Sequence, residues 1–240
     1  MEFQAFAAEL GIAGKTLSIT RKQSGEAYNP ITEGCALRAL NNAMDGETIV
    51  LSKDNIQCPG GLYGFGFQDE VKIPGGYGYF ISYGAGDGFP PGMRLKSDPE
   101  IAERGARNAP KNVMDGYSYI EIKPYKQSDK PDLVTIQVNP DQLSALNMLF
   151  YFSKHCNDAT IFPAGSGCSS VFLLPFAELR SGDPRAVIGN ADITARGYFE
   201  ADTLFFTVSG KAFADMLFDA DESFLITQAW NKMKSRISKR

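Results

Sequence analysis

Helical and alternating patterns take turns along this chain. From Glu2 to Leu10, residues Phe3, Phe6, Ala7 and Leu10 fall at helical spacing, and Gly11 and Gly14 bracket the end. Thr16 to Thr20 then alternates as a short strand does. After a turn rich in Gly, Asn and Pro (Gly25 to Pro30), Thr32 is placed to cap a second helix through about Met44, with Cys35 in its first turn. Further strands are predicted at Thr48 to Leu51, Tyr117 to Ile122, Leu133 to Val138, Asp158 to Phe162, Ala186 to Ile188 and Thr203 to Val208. Further helices are predicted over Asp98 to Arg107, from Asn139-Pro140 to about Phe152, over Ser209 to Leu217 and over Ser223 to Met233.

One stretch follows neither period. Between Gly60 and Gly92, eleven of thirty-three residues are Gly, with aromatics interleaved as in Gly60-Gly61-Leu62-Tyr63-Gly64-Phe65-Gly66-Phe67. Glycine at this density permits close backbone approach at an entropic cost, which the aromatics must offset by packing. The segment therefore reads as a packed, irregular region over a core or pocket, not as a linker. No repeat, heptad run or linker divides the chain. The expectation is a single α+β domain over residues 1–240, with a mainly antiparallel sheet flanked by helices.

Charge narrows the function classes. A net charge of -4 disfavours nucleic acid as a partner, and the basic tail from Lys232 to Arg240 reads as the C-terminal end of an amphipathic helix. No export peptide and no apolar run long enough for a bilayer is visible, so a cytoplasmic, membrane-free protein with reduced thiols is expected. The tail helix and exposed aromatics would suit either a homo-oligomer or the completion of a monomer's core.

The thiols are the candidate chemistry. Cys35 begins a helix, Cys58 opens Cys-Pro-Gly-Gly, and Cys168 lies in Gly-Ser-Gly-Cys-Ser-Ser. Helix starts and glycine loops offer backbone N–H groups that stabilise thiolates. Three such thiolates brought together would hold an iron–sulfur cluster or zinc. The spacings, 22 residues between Cys35 and Cys58 and 109 between Cys58 and Cys168, match no compact ferredoxin or zinc-finger pattern, so packing thiols remain an alternative. Gly84-Ala-Gly-Asp-Gly and the loop from Gly165 resemble phosphate loops in composition only, and ordinary tight turns explain them. His155 is the only histidine, and no nucleophile elbow accompanies it.

A family resemblance appears at these same residues. Gly34-Cys35-Ala-Leu before an Ala-rich helix and Cys58-Pro-Gly-Gly with Gly-Phe-Gly-Phe are similar to the family called domain of unknown function 169. So are Val134 to Val138 leading into Asn139-Pro140, Gly167-Cys168 with Pro175 downstream, and Ile188-Gly189-Asn-Ala-Asp192 with Arg196. The resemblance implies a prokaryotic protein without an established general activity. It also implies a shared three-cysteine site, since Cys35, Cys58 and Cys168 fall on the family's cysteine positions and Cys156 does not.

Three functional readings follow. In the leading one, Cys35, Cys58 and Cys168 bind a metal or iron–sulfur cluster for a redox or small-molecule role, Gly60, Gly61, Gly165 and Gly167 supply amide donors, and Tyr63, Phe65 and Phe67 shield the site. In the second, a metal-free module binds an anionic metabolite in a Gly/aromatic pocket, oriented by Arg38 or Arg196. In the third, Cys168 or Cys58 serves a thiol-dependent enzyme.

Overall fold

The computed structural model describes residues 1–26, 35–73, 75–84 and 92–237. Among the described residues, seven strands form one sheet: β1 (Thr16–Lys22), β2 (Ile49–Leu51), β3 (Tyr119–Pro124), β4 (Leu133–Val138), β5 (Thr160–Ile161), β6 (Ala186–Gly189) and β7 (Leu204–Ser209). Their order is β2-β3-β1-β4-β7-β6-β5, antiparallel throughout except for the β5–β6 pair. This is the expected α+β architecture.

Strand alternation sends neighbouring residues to opposite faces, and each face carries its own core. Val134, Ile136, Val138, Phe206 and Val208 belong to one, packed under α1 (Phe3–Leu10), α6 (Pro140–Phe150), α8 (Gly210–Asp219) and α9 (Gln228–Ile237). Leu17, Ile19, Ile120, Ile122, Leu133 and Phe205 belong to the other, beneath α2 (Ala39–Met44), α3 (Pro59–Gly64) and α7 (Leu174–Glu178). Thr135 and Thr207 pair across β4 and β7 through their hydroxyls, 3.0 Å apart, so this buried polar pair is satisfied.

The first face is built by local signals. Gly11, at φ 65, closes α1 in the left-handed conformation. Asn139 accepts from the Gln142 backbone N–H at 2.9 Å while the Gln142 side chain accepts from Asn139 N–H at 3.0 Å, a reciprocal cap with Pro140 in the first turn. Glu9 ties α1 to α9, accepting from Trp230 Nε1 at 2.7 Å and Lys234 Nζ at 2.6 Å.

The second face is irregular. The glycine-rich stretch, expected to lack regular structure, contains α3 and α4 (Tyr77–Ile81), and α4 packs on α5 (Pro99–Arg107). Ahead of α2 stands a 3₁₀ turn, Ala36–Arg38, and Cys35 is an extended residue before it, not a residue of a first helical turn. Thr32 and residues 85–88 of the glycine loop lie outside the described residues. Other boundaries also move: β3 starts at Tyr119, β5 shrinks to two residues, and Ser223 to Thr227 holds a 3₁₀ turn before α9. No helix among the described residues is long and apolar enough to cross a membrane.

Candidate functional site

Three chain segments that are distant in sequence meet on the irregular face. Cys58 caps α3, its sulfur accepting from Gly61 N–H at 3.3 Å, with Pro59 supplying the pre-set φ of the first turn. Cys168 precedes one turn of π-helix, Ser169–Leu173, that runs directly into α7. Such wide turns are uncommon and cluster at functional sites. Cys35 leads the 3₁₀ turn before α2.

Two glycines let these segments touch. A Cβ on Gly64 would stand 2.4 Å from Cys168 Cβ and 3.0 Å from Ser169 N, so α3 lies directly against the start of the π-turn. A Cβ on Gly167 would stand 2.8 Å from Leu37 Cδ2 and 3.0 Å from Ala195 Cβ, which brings the Cys35 segment to the same place. No side chain larger than hydrogen fits at either position without displacing a neighbour.

The thiols themselves interact. The Cys168 and Cys35 thiols are close enough to act on one another's ionisation. Hydrogen bonding with Cys168 outweighs burial and, with the Leu37 N–H and the nearby Arg38 charge, draws the Cys35 thiol down to about 7, against the opposing Asp192 carboxylate. Cys168 is pushed up by the same hydrogen bonding and by burial, with Cys35, Cys58 and Asp192 adding in that direction. Cys35 is thus the readier of the two to ionise near neutral pH, and Cys168 keeps its proton. Among the described residues, no three His, Cys, Asp or Glu side chains already stand close enough together to hold a metal ion.

Polar groups lie beside the Gly167–Cys168 segment. Asn190, buried and in the left-handed region at φ 73, ends β6 and accepts Arg196 Nη1 on its carbonyl at 3.0 Å. This turn aims Asp192 inward, where it accepts from Gly167 N–H at 3.0 Å and from Thr194 N–H at 2.9 Å. Burial raises Tyr77, with Glu103 and Asp192 acting the same way, and burial pushes Tyr63 up to about 12. Both phenols therefore stay protonated and can serve only as neutral donors or acceptors.

The remaining expected residues separate into two groups. Gly60, Gly61 and Gly167 lie beside the thiols, and Gly165 is in the loop before Ser166, which caps the π-turn by accepting from Ser169 N–H at 3.2 Å. Arg38 is exposed next to Cys35, its guanidinium 6.0 Å from the Tyr198 ring. Phe65 is fully buried, 4.2 Å from Phe172 between ring centres, and Phe67 packs partly buried on the same core, so both support the site from below. Arg196 bonds the carbonyls of Asn190, Thr203 and Ala201 and acts as a loop clamp. Cys156 packs against the opposite core.

Asp192 and Tyr77 were not among the candidates. Asp192 did stand in the motif Ile188-Gly189-Asn-Ala-Asp192, whereas nothing in the sequence marks Tyr77 apart from its aromatic neighbours. Two cavities of about 530 and 300 Å3 lie elsewhere: the first is lined by Tyr125, Lys130, Lys211 and Phe218, the second by Glu9, Lys15, Gln142 and Asp202. Neither is lined by a cysteine, Tyr63 or Phe65.

No curated protein and no solved structure matches the chain. The model of the DUF169 family, described as Uncharacterised ArCR, matches residues 9–219, and with most of its length covered the chain belongs to that family.

Proposed function

We propose that Cys35, Cys58 and Cys168 form one thiolate site that takes an iron–sulfur cluster, for a redox or small-molecule role in a reducing, cytoplasmic setting. The observation that carries this reading is the meeting of the three cysteine-bearing segments, packed together through Gly64 and Gly167. Core-filling cysteines need no such convergence, and Cys156 shows the ordinary alternative on the other face.

The arrangement bears on which centre fits. Zinc would need its donors gathered about one point at about 2.3 Å, and no such group of three is formed among the described residues. A cluster would hold its thiolates around a larger inorganic core, and for it too the three segments would have to close in on binding. When bound, such a centre would supply electron transfer or a Lewis-acidic iron. The protein's own part is to present Cys35 with its ionisation drawn down to about 7, to offer the Gly61 N–H to the Cys58 sulfur, and to bar bulk water with Tyr63 and the buried core below. Asp192 stands beside Gly167, where a small molecule reaching an open coordination position would meet it.

Metal and sulfide content of the anaerobically purified chain tests the reading, together with serine substitution of each cysteine. Loss of bound iron in Cys35→Ser, Cys58→Ser and Cys168→Ser, and its retention in Cys156→Ser, is the expected pattern. Metal that survives all three substitutions ends the proposal.

A further inference from the structure

Away from the cysteines, the larger of the two cavities has a lining with a definite chemistry. Its volume, about 530 Å3, suits a small organic molecule. It lies between the β3–β4 loop and the start of α8, which touch closely: a Cβ on Gly210 would stand 2.1 Å from the Pro131 carbonyl oxygen. Tyr125 lines it from the core and is fixed edge to face by Phe3 at 4.7 Å and Phe213 at 5.0 Å. The cavity is therefore preformed.

Part of the lining is apolar. Phe218, 82% exposed, borders the cavity beside Leu217 and Ala214, and an apolar ligand body laid there would displace water from the ring. The polar part offers donors. Tyr125 is only 9% exposed, yet its hydroxyl makes no hydrogen bond among the described residues, so a nearly buried phenol opens onto the cavity without a partner. Burial raises this phenol and Asp129 acts the same way, so it keeps its proton to donate. Gln127 accepts the Phe3 N–H on Oε1 at 2.7 Å, which leaves its NH2 group to donate. Lys130 has no ion pair among the described residues. Gly210 and Lys211 open the ten-residue α8, so the positive end of its dipole also falls here.

The other charges of the lining are already matched. Asp129 accepts from Ser18 Oγ at 2.8 Å and Lys126 N–H at 2.9 Å, and it pairs with Lys123 at 3.0 Å. Lys211 pairs with Asp215 at 2.6 Å. What remains uncommitted is one cation and two neutral donors beside an apolar wall.

We infer that this cavity binds a small amphipathic carboxylate, its anion held by Lys130, Gln127 and Tyr125 and its apolar body against Leu217 and Phe218. One free cation matches one negative charge, and Asp129 disfavours a multiply charged anion. The cavity shares no residue with the cysteine cluster, so the inference stands apart from the proposed metal site.

The test follows the backbone amide NMR signals of Tyr125, Gly210 and Lys211 in the full chain as phenylpropanoate, indoleacetate or octanoate is added to millimolar concentration. At least one of these carboxylates should bind saturably at one site and shift all three signals. Phenylpropanamide, which lacks the charge, and inorganic phosphate, which lacks the apolar body, should bind about tenfold more weakly or not at all. Lys130→Gln should weaken the carboxylate about tenfold and Phe218→Ser about fivefold. Both side chains are exposed, so the folded spectrum should persist in each variant. No saturable shift with any of the three carboxylates would overturn the inference. So would equal binding of the amide or of phosphate, or an affinity that neither substitution changes. Metal content plays no part in the readout, so failure here and failure of the cysteine reading are separable.

Discussion

The two faces of the sheet are built on different principles. On one, α1, α6, α8 and α9 run 8 to 11 residues, and their apolar stripes meet around Phe6, Phe206 and Phe213. Rings there pack edge to face, as Phe213 does on Tyr125 at 5.0 Å and on Phe6 at 5.8 Å. On the other, α2 and α3 have six residues each, α7 has five, and 3₁₀ and π turns fill the joints. Short helices are marginal alone, so this face depends on tertiary contact through glycines. The regular face carries stability that many side chains share. The irregular face uses close backbone approach to bring three cysteine-bearing segments together, an arrangement that long helices with full side chains would hold apart.

This contrast gives graded expectations. Phe213→Ala on the regular face should destabilise the fold by about 3–5 kcal/mol, since it leaves a cavity among three aromatic neighbours. Urea unfolding measures that loss, while the alkylation behaviour of Cys35 in the folded state should stay unchanged. A parallel change in thiol reactivity would mean that the faces are not independent. Gly64→Ala on the irregular face should cost less, about 1–3 kcal/mol from overpacking, because its Cβ would press on Cys168 Cβ at 2.4 Å. Its larger effect should fall on the site, as lost metal uptake and altered Cys35 labelling.

The thiol pair predicts a pH profile. Cys35 is drawn down to about 7 by hydrogen bonding with Cys168, so its alkylation rate should rise with pH and reach half its maximum near 7. Cys168→Ala removes that partner, and the midpoint should move up towards the ordinary thiol value of about 8.5. An unchanged midpoint would assign the low value to Leu37 N–H and Arg38 instead. The smallest effect belongs to Glu9. Burial works to raise this carboxyl, but hydrogen bonds from Lys234 and Trp230 prevail and hold it below its usual value. Its contribution is therefore present above the unfolded carboxylate range and lost as pH falls through the lower folded value. Glu9→Gln should lower stability by about 1 kcal/mol or less at pH 7, read by thermal unfolding, and the difference from wild type should vanish in acid.

The same division explains what could be read from the chain beforehand. α1, α6, β4 and β7 announce themselves by period, by Asn139-Pro140 at a start and by Gly11 at an end, all of them local signals. Gly-Gly-Leu-Tyr-Gly carries no such signal, because glycine is a poor helix former, and α3 exists through its contact with Cys168. The π-turn at Ser169 likewise carries no local signal, and it packs over Gly189, whose Cβ would lie 3.0 Å from Ser170 Oγ. The three cysteines were recognisable as candidates, but their convergence depends on long-range contacts, as does the position of Asp192 and Tyr77. Arg196 fitted an anion-binding role in sequence, and three backbone carbonyls occupy it in the fold.

The central claim is that one face of this sheet assembles a three-thiolate site for a redox centre. Purification of the full chain without oxygen, followed by measurement of bound iron, acid-labile sulfide and the visible absorption spectrum, tests it most directly. The account predicts a coloured protein with iron and sulfide near stoichiometry, lost when Cys35, Cys58 or Cys168 becomes serine. A colourless chain that also resists reconstitution with iron and sulfide would contradict it.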